Sequence, residues 1–323
     1  MLRSLCPFLA PTRSQFRSFA RTHITRATST LEQSRDDVKK VQNRLFDEER
    51  KRQEQLIPRI EKIEITVTDV KPETDDIRLL MNKGISTPHD CAMHISEMYT
   101  KYPVAEVDGV LWDMHRPLTS AATIRFRQFI EDDPYLVNVV FWRSCSFLLG
   151  MVIDTAFKSE HEVVLHSWPK PSIRKGSFVY DAALPKLKDW VPTDSEMIAL
   201  TSVFWKIKSK NLKFERLDVS RDLAKEIFAN NHFKNSQLSG FAAEKVTLYR
   251  VGDHIDISIG PMIANTGVIG RVAVTALHQI ERGPDGPLYR FQGVGLPSTL
   301  MMNHFAFNVL LERSKELNDS GIS

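Results

Sequence analysis

Apolar and polar positions alternate along the first part of the chain in a way that predicts a small folded unit over residues 62–130. From Ile63 to Val67 every second residue is apolar, which is typical of a half-buried strand. The segment Thr87–Asp90 has a threonine suited to an N-cap, followed directly by proline, so it predicts the start of a helix that runs to about Tyr99.

A hairpin and one further strand should complete this unit. The apolar runs Val104–Val107 and Val110–Trp112 are joined by Asp108-Gly109, a dipeptide that favours the tight turns of hairpins. The last strand is expected at Ile124–Phe129. Because strands then flank one capped helix on both sides, the pattern indicates a β-grasp (ubiquitin-like) unit.

Residues 135–297 are predicted to form a larger α+β unit. Apolar residues recur at helical spacing over Val140–Ala156, so this stretch should be one long helix with a buried face. No membrane span is expected, because Asn138, Arg143 and two serines interrupt the apolar run Val137–Ile153. Six strands and two further helices are expected after it, at Glu162–His166, Phe178–Asp181, Val246–Val251, Ile255–Ser258, Gly270–Leu277 and Leu288–Val294, and at Asp194–Lys208 and Arg221–Ala229.

Charged residues of both signs dominate residues 31–60, where Leu31, Val38, Val41 and Leu45 form a short apolar seam. This pattern predicts a charged helix. The helix is either a strut that lies on RNA or a partner protein, or a solvated linker.

The C-terminal residues 298–323 are predicted to form a helix and a short tail, with Ser298 as the N-cap. Leu300, Phe307 and Leu310 give this helix an apolar side. That side is available either for docking on a neighbouring protein or for packing on the chain's own core.

Positive charge is concentrated at the N-terminus. The 323 residues carry a net charge of +3, yet residues 1–31 contain five arginines and no acidic residue, so the remainder is slightly acidic. This composition predicts a mitochondrial transit peptide over residues 1–30; a basic tail that binds nucleic acid is the alternative. Contacts to RNA elsewhere must come from local patches, each of which is either an RNA contact or a solvated face. The candidate patches are Lys206, Lys208, Lys210 and Lys213, the cations of residues 35–62, and Lys170–Lys175.

No motif predicts a cofactor or a metal. A P-loop and a dinucleotide-binding glycine motif are both absent from the sequence. His161 and His166 are five residues apart, so they would not share one face of a helix as zinc-binding histidines do. His89, Cys91 and His94 are interpreted as residues of a helix cap and of the core. Three cysteines in all make no disulfide framework and favour a reducing compartment.

Several segments carry a resemblance to a known family, namely Val107–Gly109, Phe141–Gly150, Gly176–Asp181 and Asp253–Met262. From about Ile63 to Pro297 the chain resembles the N-terminal part of threonyl-tRNA synthetase. This resemblance implies a TGS domain with a β-grasp fold at 62–130 and an editing-like domain at 135–297. A closer resemblance, over about residues 79–315, is to a family of mitochondrial large-subunit ribosomal proteins that is related to this synthetase.

In the synthetase, two histidines on a helix, a thiol and a third histidine position the water that hydrolyses a mischarged tRNA. Matching the motifs places Arg143 and Phe147 at the first two histidines, Ser258 at the thiol and Met262 at the third histidine. None of these side chains exchanges a proton near neutral pH as an imidazole does. The resemblance therefore implies a degenerate editing site with no catalytic residue, in which Phe147 and Met262 fill the pocket and Arg143 turns outward.

The function expected from these observations is that of a structural constituent of the mitochondrial large ribosomal subunit, located in the matrix. Its expected partners are the large-subunit rRNA and neighbouring ribosomal proteins, with no small-molecule substrate and no cofactor. Only 26 residues follow Pro297, so no aminoacylation domain is expected. Two other hypotheses are a matrix deacylase of mischarged threonyl-tRNA and a TGS-based RNA-binding or regulatory module outside the ribosome.

Overall fold

Three β-sheets and seven α-helices make up the part of the chain that the structure, a computed structural model, describes. The described residues are 34–57, 59–70, 75–158, 160–187, 190–283 and 286–322. The predicted α+β class is confirmed at this level. The predicted transit peptide, Leu31 and Pro58 lie outside the described residues.

The N-terminal sheet has the strand order β2-β1-β5-β3-β4, in which only the central pair β1 and β5 is parallel. Its strands are β1 Lys62–Thr68, β2 Ile77–Asn82, β3 Val104–Val107, β4 Val110–Trp112 and β5 Ala122–Arg127. The predicted hairpin is confirmed, because Asp108 and Gly109 both adopt positive φ, at 49° and 81°, between β3 and β4. Strand β2 was not predicted, since its consecutive apolar residues 79–81 do not alternate with polar ones.

Helix α2 (Pro88–Ile95) packs on this sheet and begins as predicted. The Thr87 hydroxyl accepts from the Asp90 N–H, and the Asp90 carboxylate accepts from the Thr87 N–H, which completes a capping box. The helix ends at Ile95 rather than near Tyr99. Ser96 is extended, with φ −168°, and a 3₁₀ turn follows over Glu97–Lys101.

Helix α3 (Tyr135–Ala156) is the centre of the second part of the chain. It packs against the four-stranded antiparallel sheet β11-β12-β7-β6, with strands β6 Val164–Ser167, β7 Phe178–Ala183, β11 Ile269–Gly283 and β12 Gly286–Pro297. Helix α4 (Asp194–Ser209) packs against both α3 and β11. As a result α3 is buried on nearly every side and not on one face only. The helix is long and apolar enough to cross a membrane, but 89% of that stretch is buried inside the protein, as in a core helix.

The third sheet, β10-β9-β8, is smaller and antiparallel. It comprises β8 Glu215–Ser220, β9 Lys245–Val251 and β10 His254–Ile257, and the helices α5 Arg221–Ile227 and α6 His232–Gly240 lie beside it. Strand β8 and helix α6 were not predicted. Half of β8 is charged, and Leu238 is the one large aliphatic residue of α6, so neither has a strong apolar period.

Helix α1 (Arg35–Gln55) packs on this third sheet and is neither a solvated linker nor a strut held away from the body. Phe46 is fully buried in the same apolar cluster as Leu217 and Val219 of β8. The guanidinium of Arg35 donates to backbone carbonyls at the end of α3, including that of Phe157 at 2.6 Å. The predicted seam was wrong in part, because Val41 is exposed and Phe46 is the anchor.

Helix α7 (His304–Arg313) lies near the C-terminus, and its N-cap is Asn303 rather than Ser298. The Asn303 side chain accepts from the Ala306 N–H at 2.7 Å. Phe307 is buried against the chain's own core and Leu310 is partly buried, whereas Leu300 is exposed. The predicted apolar side therefore packs inward at Phe307 and Leu310.

Candidate functional site

The structure brings α3 against the segment that follows β10, where the four matched positions were expected to meet. Arg143 and Phe147 are one turn apart on α3, while Ser258 and Met262 lie on the facing segment. Between them, the Ser144 hydroxyl accepts from the Ile263 N–H at 2.9 Å and lies 3.5 Å from the Met262 sulfur. The two segments are therefore joined directly by packing and hydrogen bonds.

Two of the matched side chains fill this contact as expected. Phe147 and Met262 are both 0% exposed. The Phe147 ring centroid lies 5.6 Å from that of Phe214 and 5.1 Å from that of His254, so it sits among aromatic rings.

Arg143 does not turn outward, which corrects the expectation for this residue. Its side chain is 92% buried, and its guanidinium donates to the Pro261 carbonyl at 3.1 Å. Burial lowers the pKa of this guanidinium from its ordinary value. The facing carbonyl offers an acceptor inside the contact, so the long side chain satisfies a donor there instead of reaching water. Ser258 is also buried, and its hydroxyl accepts from the Gly260 N–H.

A carboxylate from the N-terminal sheet closes the same contact, and nothing in the sequence pattern singled it out. Asp113 directly follows β4 and is 4% exposed. Its carboxylate accepts from the Tyr249 hydroxyl at 2.9 Å and from the Met262 N–H at 2.7 Å, and Arg216 lies 3.4 Å away. Burial raises the pKa of Asp113, although the Met262 N–H and Arg216 counteract that rise. Asp113 thus ties the N-terminal sheet to the matched segment.

A cavity of about 310 Å³ lies between α1 and the small sheet, and none of the four matched positions lines it. Its wall includes Lys234, which forms a buried ion pair with Asp256 at 2.6 Å. It also includes His254, which is 2% exposed and whose Nε2 has no hydrogen-bond partner in the described part of the chain. Sequence patterns gave these residues no weight, because single ionisable residues on short strands carry no spacing signal. Within the described ranges, no group of three or more His, Cys, Asp or Glu side chains is placed to hold a metal.

Asp154 at the edge of this cavity should make stability depend on pH. Burial raises the pKa of its carboxyl, but the hydrogen bond and charge of His254 and the ammonium of Lys39 outweigh burial and lower the pKa to about 2. The folded state therefore binds this proton more weakly than the unfolded state. The resulting stability is present above about pH 4 and is lost as pH falls from 4 to 2, by ~2 kcal/mol. Urea unfolding at pH 5 and pH 2.5 measures this loss.

The matched control for this prediction is the exposed residue Asp132. Asp154→Asn should lose less stability over that pH interval than the wild type, whereas Asp132→Asn should lose as much. An equal loss in all three proteins would contradict the assignment to Asp154.

The two described cysteines should be chemically inert. Burial raises the pKa of Cys91 to about 12 and that of Cys145 well above its ordinary value. Because the thiolate is the reactive form, neither should react with a thiol reagent in the folded state. In a Cys6→Ser variant, titration with a chromogenic disulfide should detect no thiol before unfolding and two after it. One rapidly reacting thiol in the folded protein would contradict this prediction.

The lysines proposed to contact RNA separate into two pairs. Lys208 is not free, because its ammonium donates to the Gly270 carbonyl and lies 4.1 Å from the centroid of the Trp205 ring. Lys213 faces the N-terminal sheet and helps to lower the pKa of His115, which burial already lowers, to about 4. Lys206 and Lys210 are exposed and make no ion pair among the described residues.

Threonine–tRNA ligases are similar to this chain over about two thirds of its length. A cytoplasmic threonine–tRNA ligase 2 of Mus musculus is 31% identical over 226 residues, which cover 67% of this chain and 26% of the ligase. A mitochondrial threonine–tRNA ligase of Rattus norvegicus is 29% identical, over 68% of this chain and 30% of the ligase. The chain thus matches between about a quarter and a third of either enzyme's length. No protein-family model matches the chain.

The fold and the site define an α+β scaffold related to part of a threonine–tRNA ligase, with buried packing residues at two of the four matched positions. A second similarity covers nearly the whole chain. The large ribosomal subunit protein mL39 of Drosophila melanogaster is 46% identical over 280 residues, which cover 85% of this chain and 83% of that protein. The chain belongs to the mL39 family of large ribosomal subunit proteins.

Proposed function

We propose that this protein is a structural constituent of the mitochondrial large ribosomal subunit in the matrix and catalyses no reaction. The observation that carries the proposal is family membership, since the mL39 relative is similar over most of both chains. The matched site agrees with it. Phe147 and Met262 have no proton to exchange and are fully buried, and Arg143 is engaged by a backbone carbonyl.

The domain organisation belongs to the same proposal. Residues 62–130 form a TGS domain with a β-grasp fold, which the order β2-β1-β5-β3-β4 around a parallel central pair and one packed helix supports. Residues 135–297 form a degenerate editing-like domain, preceded by the charged helix of 31–60 and followed by the C-terminal helix and tail of 298–323. Residues 1–30 are the transit peptide.

Binding to the subunit involves rRNA and neighbouring proteins. Lys206 and Lys210 are the cations of the predicted patch that remain available for phosphates, because Lys208 and Lys213 face the protein itself. Such contacts position a protein on RNA without reading its sequence.

Sedimentation of mitochondrial lysate through a sucrose gradient tests the function. A subunit constituent stays in the large-subunit peak at high salt, whereas a loosely bound factor moves to the top of the gradient. Recovery of the chain at the top of the gradient would contradict the proposal. So would faster release of serine from seryl-tRNA for threonine by the purified protein than by buffer, since that result would favour the deacylase hypothesis.

The double variant Lys206→Glu/Lys210→Glu should weaken the RNA contact without unfolding the protein. Each lost phosphate contact removes counterion release, so dissociation from the subunit should begin at a lower salt concentration than for the wild type. Sedimentation over a salt series measures this shift. The control is Lys51→Glu/Lys245→Glu, which reverses two other exposed cations. Equal shifts for both double variants would mean that net charge, and not this patch, determines retention.

A further inference from the structure

The outer face of α7 carries the most exposed apolar residues near the C-terminus. Met301, Phe305 and Val309 are 96%, 80% and 56% exposed. Their spacing of four residues places Phe305 and Val309 on one face of the helix, with Met301 just before its first turn. We call these three residues the outer stripe.

The opposite face already anchors the helix to the protein. Phe307 is 8% exposed, and the guanidinium carbon of Arg271 lies 5.5 Å from the centroid of its ring. Arg271 also donates to the Asn303 carbonyl, at the residue that caps the helix. Because these contacts hold α7 in place, the outer stripe is not needed to keep the helix folded.

The charges around the outer stripe are not those of an RNA-binding surface. Arg313 donates to the Arg174 carbonyl at 3.1 Å, and Lys315 forms an ion pair with Glu312 at 2.7 Å. Glu312 follows Val309 by three residues, so a carboxylate lies at the end of the stripe. Proteins bind RNA phosphates through free cations, whereas apolar side chains at i and i+4 are how a helix fits a protein groove.

We propose that the outer stripe docks into an apolar groove of a neighbouring protein of the large subunit. The identity of that partner as a ribosomal protein rests on the proposed function. Phe305 is the central anchor, because a large aromatic side chain buried at the middle of an interface contributes most to binding. The helix thus serves two contacts, with Phe307 on the chain's own core and the outer stripe on the partner.

The double variant Phe305→Ser/Val309→Ser tests the proposal in cells that carry it as the full chain in place of the wild type. The purified variant should unfold at the same temperature as the wild type, because both side chains are exposed. Its share in the large-subunit peak at high salt should fall by about tenfold or more. The matched control is Val191→Ser/Ile198→Ser, whose side chains are 82% and 66% exposed elsewhere on the surface and whose loss should leave retention unchanged.

Two further measurements identify the partner class. Phe305→Arg should reduce retention as strongly as the double variant if the partner is a protein groove; retained or increased binding would point to RNA and overturn the proposal. A photo-reactive amino acid at position 305 should cross-link to a large-subunit protein, and a cross-link to rRNA or to a second copy of this chain would overturn it. If the wild type and the double variant both remain in the peak, the stripe proposal fails while the proposed function stands. If the wild type itself leaves the peak, both fail.

Discussion

Asp113→Ala is expected to lower the free energy of unfolding by about 3–5 kcal/mol, because it breaks a buried charged network and leaves its donors without an acceptor. The Tyr249 hydroxyl and the Met262 N–H would both lose their partner, at sites that water does not reach. Arg216 would also lose a carboxylate at 3.4 Å. Urea unfolding at neutral pH measures the loss.

Two further substitutions separate the network from the general effect of removing a carboxylate. Asp132→Ala removes an exposed carboxylate and should change stability by about 0.5 kcal/mol or less. Asp113→Asn keeps an acceptor oxygen, so its effect should lie between those of the two alanine variants. A loss below about 1 kcal/mol for Asp113→Ala would show that Asp113 does not hold the two parts of the chain together.

Phe147→Ala is expected to lower stability by about 3–5 kcal/mol as well, through the cavity that it leaves. The ring is fully buried between the rings of Trp168, Phe214 and His254. Several aromatic neighbours bound the space, so it cannot collapse easily after truncation. Phe147→Leu keeps most of the volume and should cost less. Chemical unfolding of both variants gives the comparison.

The control for Phe147 is Phe305→Ala, which removes an aromatic ring that is 80% exposed. It should change the stability of the isolated chain by about 0.5 kcal/mol or less. Phe147→His restores the residue type that the editing resemblance assigns to this position, yet it should also be destabilising, because the imidazole would enter an apolar slot. A stable Phe147→His protein that hydrolyses seryl-tRNA for threonine would contradict our account of this site.

These two residues explain why the matched positions matter although they carry no reaction. Arg143, Ser144 and Asp113 each bond to a different backbone group between Pro261 and Ile263. The segment after β10 is therefore held from α3 on one side and from the N-terminal sheet on the other. At these positions the chain has exchanged groups that move protons for groups that pack and accept hydrogen bonds.

Local patterns predicted the elements whose residues alternate or cap strongly. Strand β1, the capping box of α2 and the hairpin at Asp108-Gly109 were all predicted before any contact was known. Strand β8 and helix α6 were missed because charged or polar residues make up much of each, and burial against neighbouring elements stabilises them instead. The α1 seam was misplaced because its true anchor, Phe46, depends on β8.

The sequence by itself determined which chemistry is available at the matched positions, because residue identity alone decides whether a side chain can exchange a proton near neutral pH. It also determined the α+β class and the places where strong local signals begin and end elements. Only the tertiary structure decided that Arg143 points inward, that α1 packs on the small sheet and that Asp113 closes the site. These features rest on contacts between distant segments, such as the bond from Met262 to Asp113 across 149 residues, and no local pattern encodes such a pairing.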